Sequence, residues 1–148
     1  QPLLGDGGNI HVDGATVSVI DWEAGGAGGV PLGDLLPFLL RSESVLAAGG
    51  DDHEACVAAA LELAKGRAPR SAHVFGSVRR YLSALDIDPG LAGPLALLIW
   101  QEVADDAQRQ RSRVPGGPPG APSWAVSVAQ AWADDPELAG DWPAVTRG

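Results

Sequence analysis

Two patterns of apolar and polar positions divide the chain. Near the start, Asn9-Ile10-His11-Val12 reads as a short strand, Asp13-Gly14 as a turn signal, and residues 16–20 as a β-branched strand, which together predict a β-hairpin. Further on, apolar residues recur at helical spacing. Leu32, Leu35, Leu36, Leu39 and Leu40 predict a helix through about Arg41, with Pro31 suited to its first turn and Pro37 set to kink or break it. Gly49-Gly50 is a break, after which Asp51 or Asp52 caps a helix running to about Lys65, carrying Ala55, Ala58, Ala59, Leu61 and Leu63. Gly66 and Pro69 end it. Ser71 is placed to cap a helix over about 73–85, with Val74, Phe75, Val78, Tyr81, Leu82 and Leu85 on one side. Asp88-Pro89 opens the next helix, which reaches about Gln108 with Leu91, Leu95, Leu98, Ile99 and Val103 inward. Ser123 caps a last helix over about 124–133, with Trp124, Val128 and Trp132 on one face. The order is one hairpin and then about five helices: a mainly α chain with a small β-hairpin and no internal repeat.

The connecting segments carry little chemistry of their own. Gly25-Gly26-Ala27-Gly28-Gly29 lacks the following Lys-Ser/Thr of a phosphate cradle and reads as a connector. Residues 114–122 are too rich in Pro and Gly for regular structure. Arg109, Arg111 and Arg113 form a short basic patch that a helix C-terminus favours through its dipole. The tail from Asp134 is acidic, and Trp142 is the residue able to dock it on the body.

Composition narrows the function classes. The 148 residues are 45% hydrophobic and 20% charged, values of one globular domain with a sizeable core. A net charge of −9 argues against nucleic-acid phosphate as a partner. It is compatible with a cationic substrate, although a solvated acidic surface is the commoner cause of such a balance. Cys56 is the single cysteine, so no intramolecular disulfide and no Cys-based metal site can form; among alanines it reads as a small buried hydrophobe. No secretory signal and no apolar run near the length of a membrane span occur, so no membrane partner and a cytosolic location are expected.

Candidate chemistry concentrates at the open end of the hairpin. A turn centred on Asp13-Gly14 folds the chain so that Asp21 lies opposite the region of Asp6 and Asn9. Oxygen-bearing side chains there suit a hard cation such as Mg²⁺, which takes one or two protein oxygens and leaves the rest to water and phosphate. His11, His53 and His73 have no metal-ligand spacing, and no Gly-x-Ser-x-Gly elbow occurs.

Three blocks carry a resemblance: Gly8-Asn9-Ile10-His11-Val12-Asp13-Gly14, Val19-Ile20-Asp21-Trp22-Glu23 and Gly29-Val30-Pro31-Leu32-Gly33-Asp34-Leu35. In order and spacing they resemble the catalytic core of the aminoglycoside phosphotransferase and choline kinase-like enzymes, over residues 1–40. The resemblance implies the helical C-terminal lobe of a protein kinase-like (α+β) fold. Residues 1–24 would be the catalytic loop and metal-binding hairpin, 30–133 the helical subdomain and 134–148 a tail. It further implies transfer of the γ-phosphate of ATP to a hydroxyl of a small molecule. Asn9 and Asp21 would be the Mg²⁺ ligands, Asp21 in the place of the aspartate that holds metal against the phosphates. Asp34 would be a buried aspartate bracing the catalytic loop. The family's catalytic-base position, five residues before the Asn, is Leu4 here, and the nearest carboxylate is Asp6. Either the loop is two residues shorter or the site is degenerate. The Gly-rich loop and strand Lys of an ATP-binding lobe are absent from these residues, so the expectation is a C-terminal part that is inactive alone. A non-catalytic pseudokinase or a helical binding module is the alternative. The oligomeric state is not legible.

Overall fold

The computed structural model describes residues 10–19, 29–113, 116, 120–140 and 142. Among them, strand β1 (Ile10–Asp13) pairs antiparallel with β2 (Thr16–Val19), in a register that sets Ile10 against Val19 and Asp13 against Thr16. The two-residue turn is therefore Gly14-Ala15, one position later than the Asp13-Gly14 centring predicted.

The rest of the described chain is mainly helical. Helices α1 (Leu35–Ala48), α2 (His53–Ala64), α3 (Ser71–Ala84), α4 (Ala92–Arg113) and α5 (Trp124–Asp134) follow one another, with a short 3₁₀ turn at Pro89–Leu91 leading into α4. Helix α1 runs a full turn and more beyond the expected stop at Arg41. Pro37 does not break it because Pro37 lies in the first turn, where a missing N–H costs little. Gly49, in the left-handed conformation at φ 71°, ends α1; its N–H goes to Leu46 O and that of Gly50 to Val45 O. Ser71 is not a cap but the first residue of α3, its Oγ accepting from the Ala68 N–H. Asp52 and Ser123 do cap, accepting from Ala55 N at 2.9 Å and Val126 N at 3.3 Å.

Packing follows from which faces are small. Cys56, Ala60 and Ala64 recur every fourth residue on α2 and are fully buried. This stripe lets α2 sit centrally, packed on α1, α5 and α3. Leu36, Leu39 and Leu40 of α1 and Val74, Val78 and Leu82 of α3 complete one side of the core. On the other, α4 packs on α5 through an aromatic chain: Trp100 meets Trp124 at 6.4 Å and Trp132 at 5.7 Å, and Trp132 meets Trp142 at 5.3 Å. Trp142 comes from the tail, is 2% exposed, and donates its indole N–H to Ala64 O at 2.7 Å. Beside it the ammonium of Lys65 pairs with Asp135, and this bond holds the Asp135 carboxyl below its usual range.

Among the described residues, one charged side chain enters the core. Glu43 of α1 is buried and accepts from Arg70 at the start of α3, with one oxygen on Nη2 at 2.8 Å and the other on Nε. His73 Nε2 stands 3.6 Å away. The Arg70 bond pushes the Glu43 carboxyl down, against the opposing effect of burial.

Candidate functional site

The segment between the hairpin and α1 places the third motif block, and its local geometry is unusual. Val30-Pro31-Leu32-Gly33 closes a turn in which the Gly33 N–H donates to Val30 O at 2.9 Å. Pro31 supplies the fixed φ of the second position; Leu32, at the third, has φ 72°, a conformation normally left to Gly. A leucine held there costs on the order of 1–2 kcal/mol. Its side chain is fully buried, which offsets that cost. Gly33 is required in a different way: a Cβ at this position would meet Val30 O at 2.9 Å. Pro31 is thus a turn residue, not the first residue of a helix, and α1 begins only at Leu35.

This turn is one wall of a cleft of about 300 Å³. Gly29, Val30, Gly33 and Asp34 line that wall, α4 contributes Ile99, Glu102, Val103, Asp106 and Gln110, and the start of α5 contributes Ser123, Ala125 and Val126. Glu102, Asp106 and Gln110 stand at i, i+4 and i+8, so one polar stripe of α4 faces the opening while Ile99 and Val103 form its floor. Asp34 at the head of α1 is exposed and makes no capping bond, so it is not the buried aspartate expected; the catalytic loop it was expected to brace lies outside the described residues. Among the described residues, three carboxylates therefore share the cleft. Arg109 offsets one of them, donating to Asp106 Oδ1 at 2.6 Å; that bond raises the Arg109 pKa above its ordinary value.

The proposed metal ligands Asn9 and Asp21 and the base candidate Asp6 lie outside the described residues, as do Trp22 and Glu23. Among the described residues no group of three His, Cys, Asp or Glu side chains is placed to hold a metal ion. Two of the three histidines serve elsewhere: His53 Nε2 is 2.9 Å from Ser127 Oγ, and His73 faces Glu43. Four tryptophans, at 100, 124, 132 and 142, are core residues.

Sequence reasoning missed the acidic side of the cleft. It placed the inward face of α4 only as far as Val103, whereas the i, i+4, i+8 spacing of Glu102, Asp106 and Gln110 was the available signal. It could not reach the left-handed Leu32, because nothing in its own identity marks it. No family model, no curated protein and no solved structure matches this chain. Among the described residues, no single helix is long and apolar enough to cross a membrane.

Proposed function

We propose that the chain is the helical lobe of a cytosolic small-molecule phosphotransferase of the aminoglycoside phosphotransferase and choline kinase-like type, and that the cleft receives the acceptor. The observation that carries this reading is the coincidence of motif and cavity: the Gly29-to-Asp34 block, the third of the three resembling blocks, is itself a wall of the cleft. The donor set at Asn9 and Asp21 is all oxygen, which suits Mg²⁺, and the ion would neutralise the phosphates of ATP there. Phosphoryl transfer asks the protein chiefly for positioning and for a carboxylate near the acceptor hydroxyl, a role that falls to Asp6. The carboxylates of Asp34, Glu102 and Asp106, over the apolar floor of Ile99 and Val103, favour an acceptor that carries positive charge beside its hydroxyl.

The test is a phosphoryl-acceptor screen of the complete gene product with Mg-ATP, using hydroxylated amines alongside neutral sugars. Transfer to an amine-bearing alcohol is expected. Failure of every acceptor would favour a non-catalytic pseudokinase or binding module, a reading to which Leu4 at the family's base position already lends weight.

A further inference from the structure

We infer that the outward face of the first turns of α4, with the end of α3 beside it, is a docking surface for a cationic amphipathic helix of a partner protein. Among the described residues six large apolar side chains are exposed, and four of them gather here: Tyr81 and Leu85 from the end of α3, Leu91 from the 3₁₀ turn and Leu98 from α4. Leu85, Leu91 and Leu98 each leave about half of their surface in solvent. The 3₁₀ turn that carries Leu91 touches both α3 and α4, which joins the two contributions. Along α4, Leu91, Leu95 and Leu98 stand at i, i+4 and i+7, one stripe of a helix, with Leu95 half-buried at its middle. The sequence pattern sets this stripe inward. The core takes another side of α4 instead, through Ala92, Ala96, Ile99 and Trp100, and Leu91 and Leu98 are left turned outward. Single exposed leucines need no explanation, but a contiguous group of this kind marks an interaction site.

Charge decides the occupant. Exposed carboxylates stand at both ends of the stripe: Asp86 and Asp88 in the connection before Leu91, and Glu102 and Asp105 on the same side of α4 beyond Leu98. Glu102, which also borders the cleft, follows Leu98 by about one helical turn, roughly 6 Å. The first cation along the stripe, Arg109, lies roughly 16 Å beyond Leu98 and already pairs with Asp106. On α3, Arg80 precedes Tyr81 but turns back to Ser77. A second copy of this chain is therefore a poor occupant. An antiparallel pairing of two stripes sets Asp86 and Asp88 against Glu102 and Asp105, and a parallel pairing sets each carboxylate against its own copy, so both are repulsive. An anionic lipid surface is repelled for the same reason. A helix with apolar residues at i, i+3, i+4 and i+7 and Lys or Arg beside them matches both parts of the face: apolar contact at the centre, opposite charge at the rim. The surface is independent of the phosphotransferase reading, because its occupancy is measured without turnover.

The experiment titrates the 148-residue chain into a fluorescein-labelled synthetic helix that carries leucine at i, i+3, i+4 and i+7 and lysine at the flanking positions. A second peptide has glutamate in place of each lysine. Fluorescence anisotropy at physiological salt gives the readout, and analytical ultracentrifugation of the chain alone gives its oligomeric state. Saturable binding of the lysine peptide to a monomeric chain is expected, with the glutamate peptide weaker by about tenfold or more. Leu91→Gln combined with Leu98→Gln should weaken the lysine peptide by about tenfold or more. Asp86→Asn combined with Asp105→Asn, which keeps every leucine, should weaken it by a few-fold. Circular dichroism establishes that both variants are folded. Equal binding of the two peptides overturns the proposal, as does no saturable binding of either. A folded leucine variant that binds unchanged also overturns it, by placing the peptide elsewhere, such as the acidic cleft. So does a dimer of the unmodified chain that the leucine variant dissolves, which makes the occupant a second copy.

Discussion

Trp142→Phe separates two contributions that the tail makes to the core. The phenyl ring can still fill much of the pocket between Phe75 and Trp132, whose rings lie 5.9 and 5.3 Å from that of Trp142. What it cannot do is donate to Ala64 O, a bond of 2.7 Å spanning 78 positions of sequence. Ala64 is the last residue of α2, and its carbonyl is one of those the helix leaves without an internal partner. A typical neutral bond contributes about 0.5–1.5 kcal/mol, and stranding a buried acceptor costs roughly 1–3 kcal/mol, so a loss of about 2 kcal/mol is expected. Trp142→Ala also removes the ring contacts and leaves a cavity, for a loss of roughly 3–5 kcal/mol. For a chain of this size the two changes correspond to falls in Tm of about 4–8 °C and roughly 6–20 °C. Scanning calorimetry of the three proteins measures this directly. If Trp142→Phe melts within about 1 °C of the parent, the indole N–H is not seated on α2 and the tail does not close this side of the core.

Two further outcomes follow from the buried polar groups. The folded-state pKa of Glu43 is lowered below the ordinary 4.5, chiefly by the Arg70 hydrogen bond, so its contribution to stability is present above about pH 4.5 and lost as pH falls through the folded value. Denaturation midpoints followed from pH 7 to pH 3 should therefore fall less steeply for Glu43→Gln than for the parent, and parallel curves would contradict the assignment. The thiol of Cys56 is fully buried and donates to Gly50 O at 3.3 Å, so a thiol reagent should leave it unmodified in the native chain and react promptly once denaturant is added. Fast modification of the native protein would show that α2 does not pack as described.

The helices were legible because their caps and apolar periods agree. Asp52 before Ala55 and Ser123 before Val126 are side chains that satisfy orphan N–H groups, and both are marked by residue type alone. Ser71 misled for the same reason. A serine at a helix start reads as a cap, yet its oxygen was recruited by Ala68 behind it. Pro37 misled because its effect depends on position within the helix, and that position was set by the turn at Leu32. The left-handed Leu32 is a tertiary outcome, paid for by complete burial of its side chain. The cleft was half legible: the Pro31-Leu32-x-Asp34 block pointed to one wall, while the α4 carboxylates, inside the helix expected to about Gln108, joined it only when packing on α5 set their side of α4 toward the turn.

The phosphotransferase reading rests on Asp21 as a metal ligand, and one substitution tests it most directly. In the complete gene product, with Mg-ATP and the best acceptor of the screen, Asp21→Ala removes the carboxylate expected to hold the metal against the phosphates, an interaction of several kcal/mol in the transition state. Phosphoryl transfer measured by coupled ADP release should fall by at least about a thousandfold while the folded state, followed by circular dichroism, is retained. A folded Asp21→Ala protein that turns over within a few-fold of the parent would contradict the metal assignment.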